Sequence, residues 1–336
     1  MTHELKIIIE AYQVAKEHKK KTVLATVVAL EGSSYRRPGV RMLIQEDDKA
    51  IGAVSGGCVE KEVIRQAQTV FNDGISKMMT YDGRYRLGCE GLLYILIEPF
   101  EPNKIFLKAF QDNLKKRSPI LVSCYYSKSE GCHESLGSVF SLGQNGIPVR
   151  ESFELDKNLM VFNQEMEPCF KLLIIGAEHD AVQLSSYAAL TGWDVTVVAA
   201  PSEEKTLVDF PGAQELICVD SESLPIENID NQTAVLLMTH SYVKDLKYLL
   251  RISNTRPAYL GILGPAKRRE KLLNELIERY PEIDDSFFDI IYGPSGLNIG
   301  AETAQEIGIA ILAEILAVVR KQEPIMLKHK SSPIHN

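Results

Sequence analysis

Apolar positions in residues 4–18 recur at helical spacing. Leu5, Ile8, Ile9, Tyr12 and Ala15 share one face, and a basic stretch at 19–21 ends the segment. The β-branched run 22–30 (TVLATVVAL) then predicts a buried strand. Residues 40–45 (VRMLIQ) predict a second strand, 46–49 a polar turn and 50–55 a returning strand. Gly56-Gly57 breaks that strand and Cys58 opens a helix, with Val59, Val63, Ile64, Ala67, Val70 and Phe71 as its inward face. Short strands at 76–81 and 92–98 enclose a glycine-rich loop, DGRYRLGCEG, at 82–91. Together these elements predict a mixed α/β domain over residues 1–100.

The pattern weakens over 101–168. A helix near 105–114 and strands at 120–126 and 138–142 are the readable elements, and the stretch is taken as a variable connecting segment or sheet extension. From residue 169 strands alternate with helices. Apolar runs at 171–175, 194–199, 215–219, 234–239 and 258–263 are separated by helical patterns at 181–190, 242–252 and 265–280, and a further one follows at 301–319. Alternation of this kind predicts a Rossmann-like, doubly wound parallel sheet over 169–322, with 323–336 as a tail.

With 336 residues, 45% of them hydrophobic and 24% charged, the chain has the composition of a water-soluble globular protein of two domains. A net charge of −8 without a basic stripe argues against nucleic acid as a partner. No apolar run reaches the ~20 residues that span a bilayer, and the start lacks a signal-peptide pattern, so a cytoplasmic protein is expected. Six scattered cysteines form no C-x-x-C pair and suit neither zinc nor iron–sulfur ligation. Cys132-His133-Glu134 stands in a loop without further ligands and is not taken as a metal site.

The chemistry concentrates at residues 32–63. A strand that passes through two glycines into a helix leaves backbone N–H groups at the turn, where the helix dipole adds positive potential. A thiol there, Cys58, is biased toward thiolate. Ser33, Ser34, Arg36, Arg37 and Arg41 lie just upstream as hydroxyls and cations for an anion. The same residues also read as a tight turn, Gly56-Gly57, before a small buried cysteine. In the second half, the turn Gly176-Ala177-Glu178-His179-Asp180-Ala181 follows the first strand but puts Glu178 where a dinucleotide fingerprint has its second glycine. Ala199 and Ala200 stand where a ribose-binding acid is expected, which argues against tight NAD(P) binding. His240 ends a strand and reads either as a packing or capping residue or as a ligand group. Lys267, Arg268 and Arg269 open a helix after Gly264-Pro265, as a solvated face or an anion partner. Glu302 is read as a favourable charge at the last helix's start. The apolar positions of that helix (Ala304, Ile307, Ile311, Ile315, Val318) suit packing on the sheet or on a second subunit.

GSSYRRPGVRM from Gly32, SGGCVE from Ser55 and LGCEG from Leu87 resemble the N-terminal domain of the xanthine dehydrogenase accessory factor family (XdhC/CoxI). MTHSYVKDLKYL from Met238, YLGILGPAKRREKLL from Tyr259 and GLNIGAETAQEIGIAILAEI from Gly296 resemble its C-terminal domain. The resemblance implies a maturation factor rather than a catalyst. It would bind molybdenum cofactor transiently, protect it during sulfuration and deliver it to a xanthine dehydrogenase-type molybdenum hydroxylase. It further implies Cys58 as the contact to molybdenum, with Cys89 as second choice. Gly56, Gly57, Ser33, Ser34, Arg36 and Arg41 would hold the pterin phosphate or oxo-metal anion, and His240 would face the site. A cysteine desulfurase is a candidate partner, and a homodimer is the default assembly. The alternatives are an NAD(P)-dependent oxidoreductase and a stable subunit of xanthine dehydrogenase itself.

Overall fold

The computed structural model describes residues 2–32, 36–83, 91–143, 145–151 and 153–331, without the side chain of Cys58. Ser33, Ser34, Arg84, Arg86 and Cys89 thus lie outside the described residues. The chain divides into two units, Met1–Cys169 and Phe170–Asn336.

In the first unit, α1 (Thr2–Glu17) leads into β1 (Thr22–Glu31), β2 (Arg41–Gln45) and β3 (Ala50–Gly52), and then α2 (Cys58–Asp73). β4 (Lys77–Asp82), β5 (Leu92–Pro99), α3 (Lys104–Lys115), β6 (Ile120–Tyr126) and β7 (Gly131–Cys132) follow, and β8 (Gly137–Leu142), β9 (Asn145–Pro148) and β10 (Met160–Met166) complete it. One six-stranded antiparallel sheet has the order β3-β2-β1-β5-β4-β7. Its odd-numbered β1 positions, Val23, Ala25 and Val27, pack against Val59, Val63, Ala67 and Val70 of α2. The even positions, Leu24 and Val28, share a core with α1, α3 and a second sheet, β10-β6-β8-β9. Alternation along β1 thus lets one strand serve two cores.

β3 ends at Gly52, three residues earlier than the apolar pattern predicts. Gly52 has φ +86°, and a Cβ there would stand 2.5 Å from the Arg41 carbonyl oxygen, so close approach turns the chain out of the sheet. The stretch 101–168 holds α3 and the whole second sheet. β10 escapes the sequence pattern because Asn163, Gln164 and Glu165 dilute its apolar alternation on a half-exposed strand.

The second unit runs β11 (Lys171–Ile175), α4 (His179–Leu190), β12 (Asp194–Ala199), β13 (Glu215–Cys218), β14 (Thr233–Leu237), α5 (Tyr242–Ile252) and β15 (Tyr259–Ile262). α6 (Ala266–Arg279), α7 (Asp285–Asp289), β16 (Ile291–Tyr292) and α8 (Ala304–Val319) follow. All six strands pair in parallel, in the order β13-β12-β11-β14-β15-β16. α4 and α8 cover one face of the sheet, while α5 and α6 cover the other. This is the doubly wound sheet the alternation predicts. Ile311 and Ile315 of α8 are buried against that sheet, with Ile307 and Val318 beside them, so this stripe packs inward. The carboxylate that caps α8 is Glu306, reciprocally bonded with Thr303, and Glu302 precedes the cap. Among the described residues no helix is long and apolar enough to cross a membrane.

Candidate functional site

Strand register brings the first unit's motifs to one end of its large sheet. Glu31 at the end of β1 pairs with Leu92 at the start of β5, and Leu92 pairs with Asp82 at the end of β4. On the other side Thr26 of β1 faces Arg41, the first residue of β2, and Met42 faces Gly52, the last residue of β3. The segments after Gly32, after Gly52 and between Gly83 and Gly91 therefore all leave the sheet at the same end. The last is closed at its neck by Gly83 N–H donating to the Gly91 carbonyl at 3.0 Å.

At that end α2 begins. Gly57 is its N-cap at φ +58°, a conformation that favours glycine, and Cys58 is its first helical residue. A Cβ on Gly56 or Gly57 would meet no atom of the described residues within 4 Å. Arg36 is half-buried beside it, with Nη1 donating to the Ala53 carbonyl at 3.5 Å and standing 3.8 Å from the Glu4 carboxylate. Glu60, in the first turn of α2, is a residue that sequence reasoning misses. Its Oε1 accepts from Ser55 N–H at 2.7 Å, while its Oε2 is shielded from solvent and has no hydrogen-bond partner among the described residues. An acceptor of this kind in the first turn of the helix suits a ligand that carries N–H donors. The acid also opposes a purely anionic occupant of the turn. The E in SGGCVE, one helical turn inside the glycines, was the available signal.

Arg41 lies elsewhere. It is 6% exposed, and Nη1 donates to the Gly39 carbonyl at 2.9 Å and to Gln164 Oε1 at 2.6 Å. Its guanidinium lies 5.9 Å from the Phe140 ring centroid, so it faces the second sheet. Nearby, fully buried Glu98 accepts from Ser138 N–H at 2.9 Å and from Ser138 Oγ–H at 2.6 Å. Cys124 Sγ is 3.2 Å from that hydroxyl. Burial pushes the Glu98 carboxyl up to about 7, against the opposing pull of the Ser138 hydrogen bonds and of Arg150 and Arg41. Burial likewise pushes the Cys124 thiol up. Thr26 Oγ1, Arg41 Nε and Nη2, and Arg150 Nε are buried there without hydrogen-bond partners among the described residues. This polar seam lies inside the first unit, between its sheets.

In the second unit the strand order reverses between β11 and β14, the place where open α/β sheets put ligands. Gly176 has φ +138°, and any side chain there would collide with the Met238 carbonyl. Glu178 is exposed at the N-cap of α4 without capping it. His240 has φ +55°, in the left-handed region, and its Nε2 lies 3.7 Å from Asp180 Oδ2. Asp245, 1% exposed, accepts from Thr239 Oγ1 at 2.6 Å and from Arg268 Nη2 at 2.5 Å. The Lys267–Arg269 cluster is thus not uniform: Arg268 serves a buried carboxylate, and Lys267 is exposed. After Ala199 and Ala200 comes Glu203, which accepts from Ala200 N–H at 3.2 Å and pairs with Lys244 at 2.9 Å. The register brings Asp180 and His240 together, and no motif in the sequence announced that pair. Cys132 is exposed, and no group of three or more His, Cys, Asp or Glu among the described residues is placed to hold a metal ion.

Comparison with known proteins follows these two regions. The profile described as "XdhC and CoxI family" matches residues 15–82, and "XdhC Rossmann domain" matches 172–315. A Bacillus subtilis protein named as a probable xanthine dehydrogenase subunit is 30% identical over 318 residues, covering 89% of this chain and 94% of that protein. The chain belongs to the XdhC/CoxI family. Another member, "Molybdenum cofactor insertion chaperone PaoD" of Escherichia coli, is 26% identical over 309 residues, 90% of this chain and 85% of its own. A crystal structure from Bacillus halodurans described as a xanthine dehydrogenase superposes with a TM-score of 0.78 at 27% identity, covering 97% of this chain and 98% of that one. The XdhC/CoxI resemblance of the sequence motifs and the Rossmann-like second half are thereby established.

Proposed function

We propose that this XdhC/CoxI protein binds molybdenum cofactor transiently and aids its sulfuration and insertion into a xanthine dehydrogenase-type molybdenum hydroxylase. What supports the reading is that Gly32, Gly52 and the Gly83–Gly91 neck, which flank the motif segments, all lie at one end of one sheet. Likeness to a protein named as a molybdenum cofactor insertion chaperone supports it from outside. The cofactor, when bound, supplies the metal and its dithiolene; the chain holds and shields it.

Each residue has its own task. Cys58, at the first position of α2, would contact molybdenum, with Cys89 from the neighbouring loop as the alternative thiol. Gly56 and Gly57 would offer backbone N–H groups, Arg36 a cation for the phosphate, and Ser33 and Ser34 hydroxyls. Glu60 Oε2 would accept from a pterin N–H. Arg41 supports this end of the sheet from the interior, because its donors point to Gly39 and Gln164. His240 is kept as a candidate cofactor ligand of the second unit taken by itself, and tight NAD(P) binding is not part of the proposal, given Glu178 and Ala199. The hydroxylase is the recipient and a cysteine desulfurase the sulfur donor, all in the cytoplasm.

The test is transfer. Cofactor-free hydroxylase is incubated with cofactor in the presence or absence of this chain, with and without a desulfurase and cysteine. Faster and fuller activation with the wild-type chain, reduced in Cys58→Ala, is expected. Equal activation with and without the chain would end the proposal.

A further inference from the structure

The interior seam of the first unit carries more positive charge than it pairs. Arg41 and Arg150 are each 6% exposed, and Glu98 is the one buried carboxyl of that unit among the described residues. Glu98 spends its oxygens on Ser138, and burial holds its carboxyl near 7, so close to neutrality it is ionised in only about half of the molecules. The Cys124 thiol, which feels both Arg41 and Glu98, is pushed up by burial and stays neutral. Arg41 Nη1 is occupied by the Gly39 carbonyl, Gln164 Oε1 and, at 3.9 Å, Met166 Sδ. Its Nε and Nη2 are buried and have no hydrogen-bond partner among the described residues. These two N–H groups leave the planar guanidinium in the same direction and form the fork with which arginine takes an anion side-on. Thr26 stands opposite Arg41 in the β1–β2 register, and its buried Oγ1 is likewise unpartnered among the described residues. Buried donors left unpaired are costly, and three of them on two facing residues call for a shared acceptor.

We infer that Arg41 Nε and Nη2, together with the Thr26 hydroxyl, bind a chloride ion in the interior of the first unit. Charge selects an anion over water, because water would leave the buried guanidinium uncompensated. The surroundings select its kind. The Phe140 ring centroid lies 5.9 Å from the Arg41 guanidinium, and the residue is almost closed to solvent, so an incoming ion must shed its water. A halide does so at far lower cost than a phosphate. Since Arg41 Nη1 also holds the Gly39 carbonyl, the ion steadies the entry to β2 that follows the GSSYRRPGVRM motif. The inference does not rest on the proposed function.

The test uses the full-length chain. Urea unfolding is followed at pH 7 in sodium gluconate, with gluconate replaced stepwise by chloride at constant ionic strength. The folding constant of the wild type should rise about tenfold for each tenfold increase in chloride above its dissociation constant. Arg41→Lys keeps the charge without the fork, and Thr26→Val keeps the shape without the hydroxyl. The chloride response should vanish in the first and move to higher chloride in the second. Should Arg41→Lys fail to fold, Thr26→Val decides. Crystals grown in sodium bromide give the location, and anomalous density within hydrogen-bond reach of Arg41 Nε and Nη2 is expected. A wild type indifferent to the exchange, or a response kept in full by the variants that fold, would overturn the inference. So would a water molecule or the Glu98 carboxylate on the fork in place of bromide.

Discussion

The two units bury polar residues in opposite ways. In the second, the sheet lies between two apolar clusters, and its polar groups gather at the strand ends: Asp180 with His240, and Thr239 and Arg268 around Asp245. In the first, Arg41, Glu98, Ser138, Cys124 and Arg150 sit between two sheets, while Gly56 and Gly57 are exposed and Arg36 half-buried at one end of the larger sheet. Polarity therefore marks the ends of the strands in one unit and an internal support in the other. Arg41 shows the consequence: it belongs to a signature motif, yet its partners are interior.

The largest expected effect sharpens that contrast. Arg41→Ala should destabilise the chain by about 3–4 kcal/mol in urea unfolding, because it leaves a cavity between the sheets and strips the Gly39 carbonyl and Gln164 Oε1 of their buried donor. Arg36→Ala, in the same motif but half-buried at the surface, should stay within about 1 kcal/mol. Equal losses would erase the distinction between them. Next comes Gly176→Ala, which should cost about 3 kcal/mol from a left-handed φ and a collision with the Met238 carbonyl.

The pH dependence of the seam is of comparable size. Glu98 has a folded value of about 7 against an ordinary 4.5. The folded state therefore holds its proton more tightly, so the stabilisation is complete below 4.5 and fades as pH rises to about 7. The whole difference is about 3 kcal/mol. Glu98→Gln, which keeps the neutral hydrogen-bonding shape, should flatten this slope and make the variant the more stable protein at pH 8. An unchanged slope would show that Glu98 does not titrate in this window. The smallest effect is at the other unit's crevice. His240→Gly should raise stability by up to about 1 kcal/mol by relieving the left-handed backbone, since the exposed pair with Asp180 contributes little.

Much of this fold was legible in the sequence. Helix α2 and five of the six parallel strands follow from apolar spacing, because alternating strands and helices leave few ways to pack; the two-residue β16 is too short to show a pattern. Of the second sheet only β6 and β8 were legible; β9 and β10 were not, and on β10 Asn163 and Gln164 break the alternation while pairing to β6 in full register. At the candidate site, Gly56, Gly57 and Arg36 were legible from the motif. The role of Arg41 was obscured by its place in that motif. Strand parity held the answer, for Arg41 shares a face with Leu43 and Gln45, and all three are buried. Glu60 and the Asp180–His240 pair needed the fold, because a helix turn and a crossover bring them together.

The central claim is that molybdenum cofactor is held at the motif-bearing end of the first sheet. Anaerobic titration of the purified chain, with retained pterin read by fluorescence after oxidation, tests it most directly. Wild type, Cys58→Ala, Cys89→Ala and Asp245→Asn would be compared. The account predicts stoichiometric retention by wild type, loss in Cys58→Ala, and retention in Asp245→Asn, which alters the other unit's crevice. Undiminished retention in Cys58→Ala, with loss in Asp245→Asn, would contradict it and move the site to the parallel sheet.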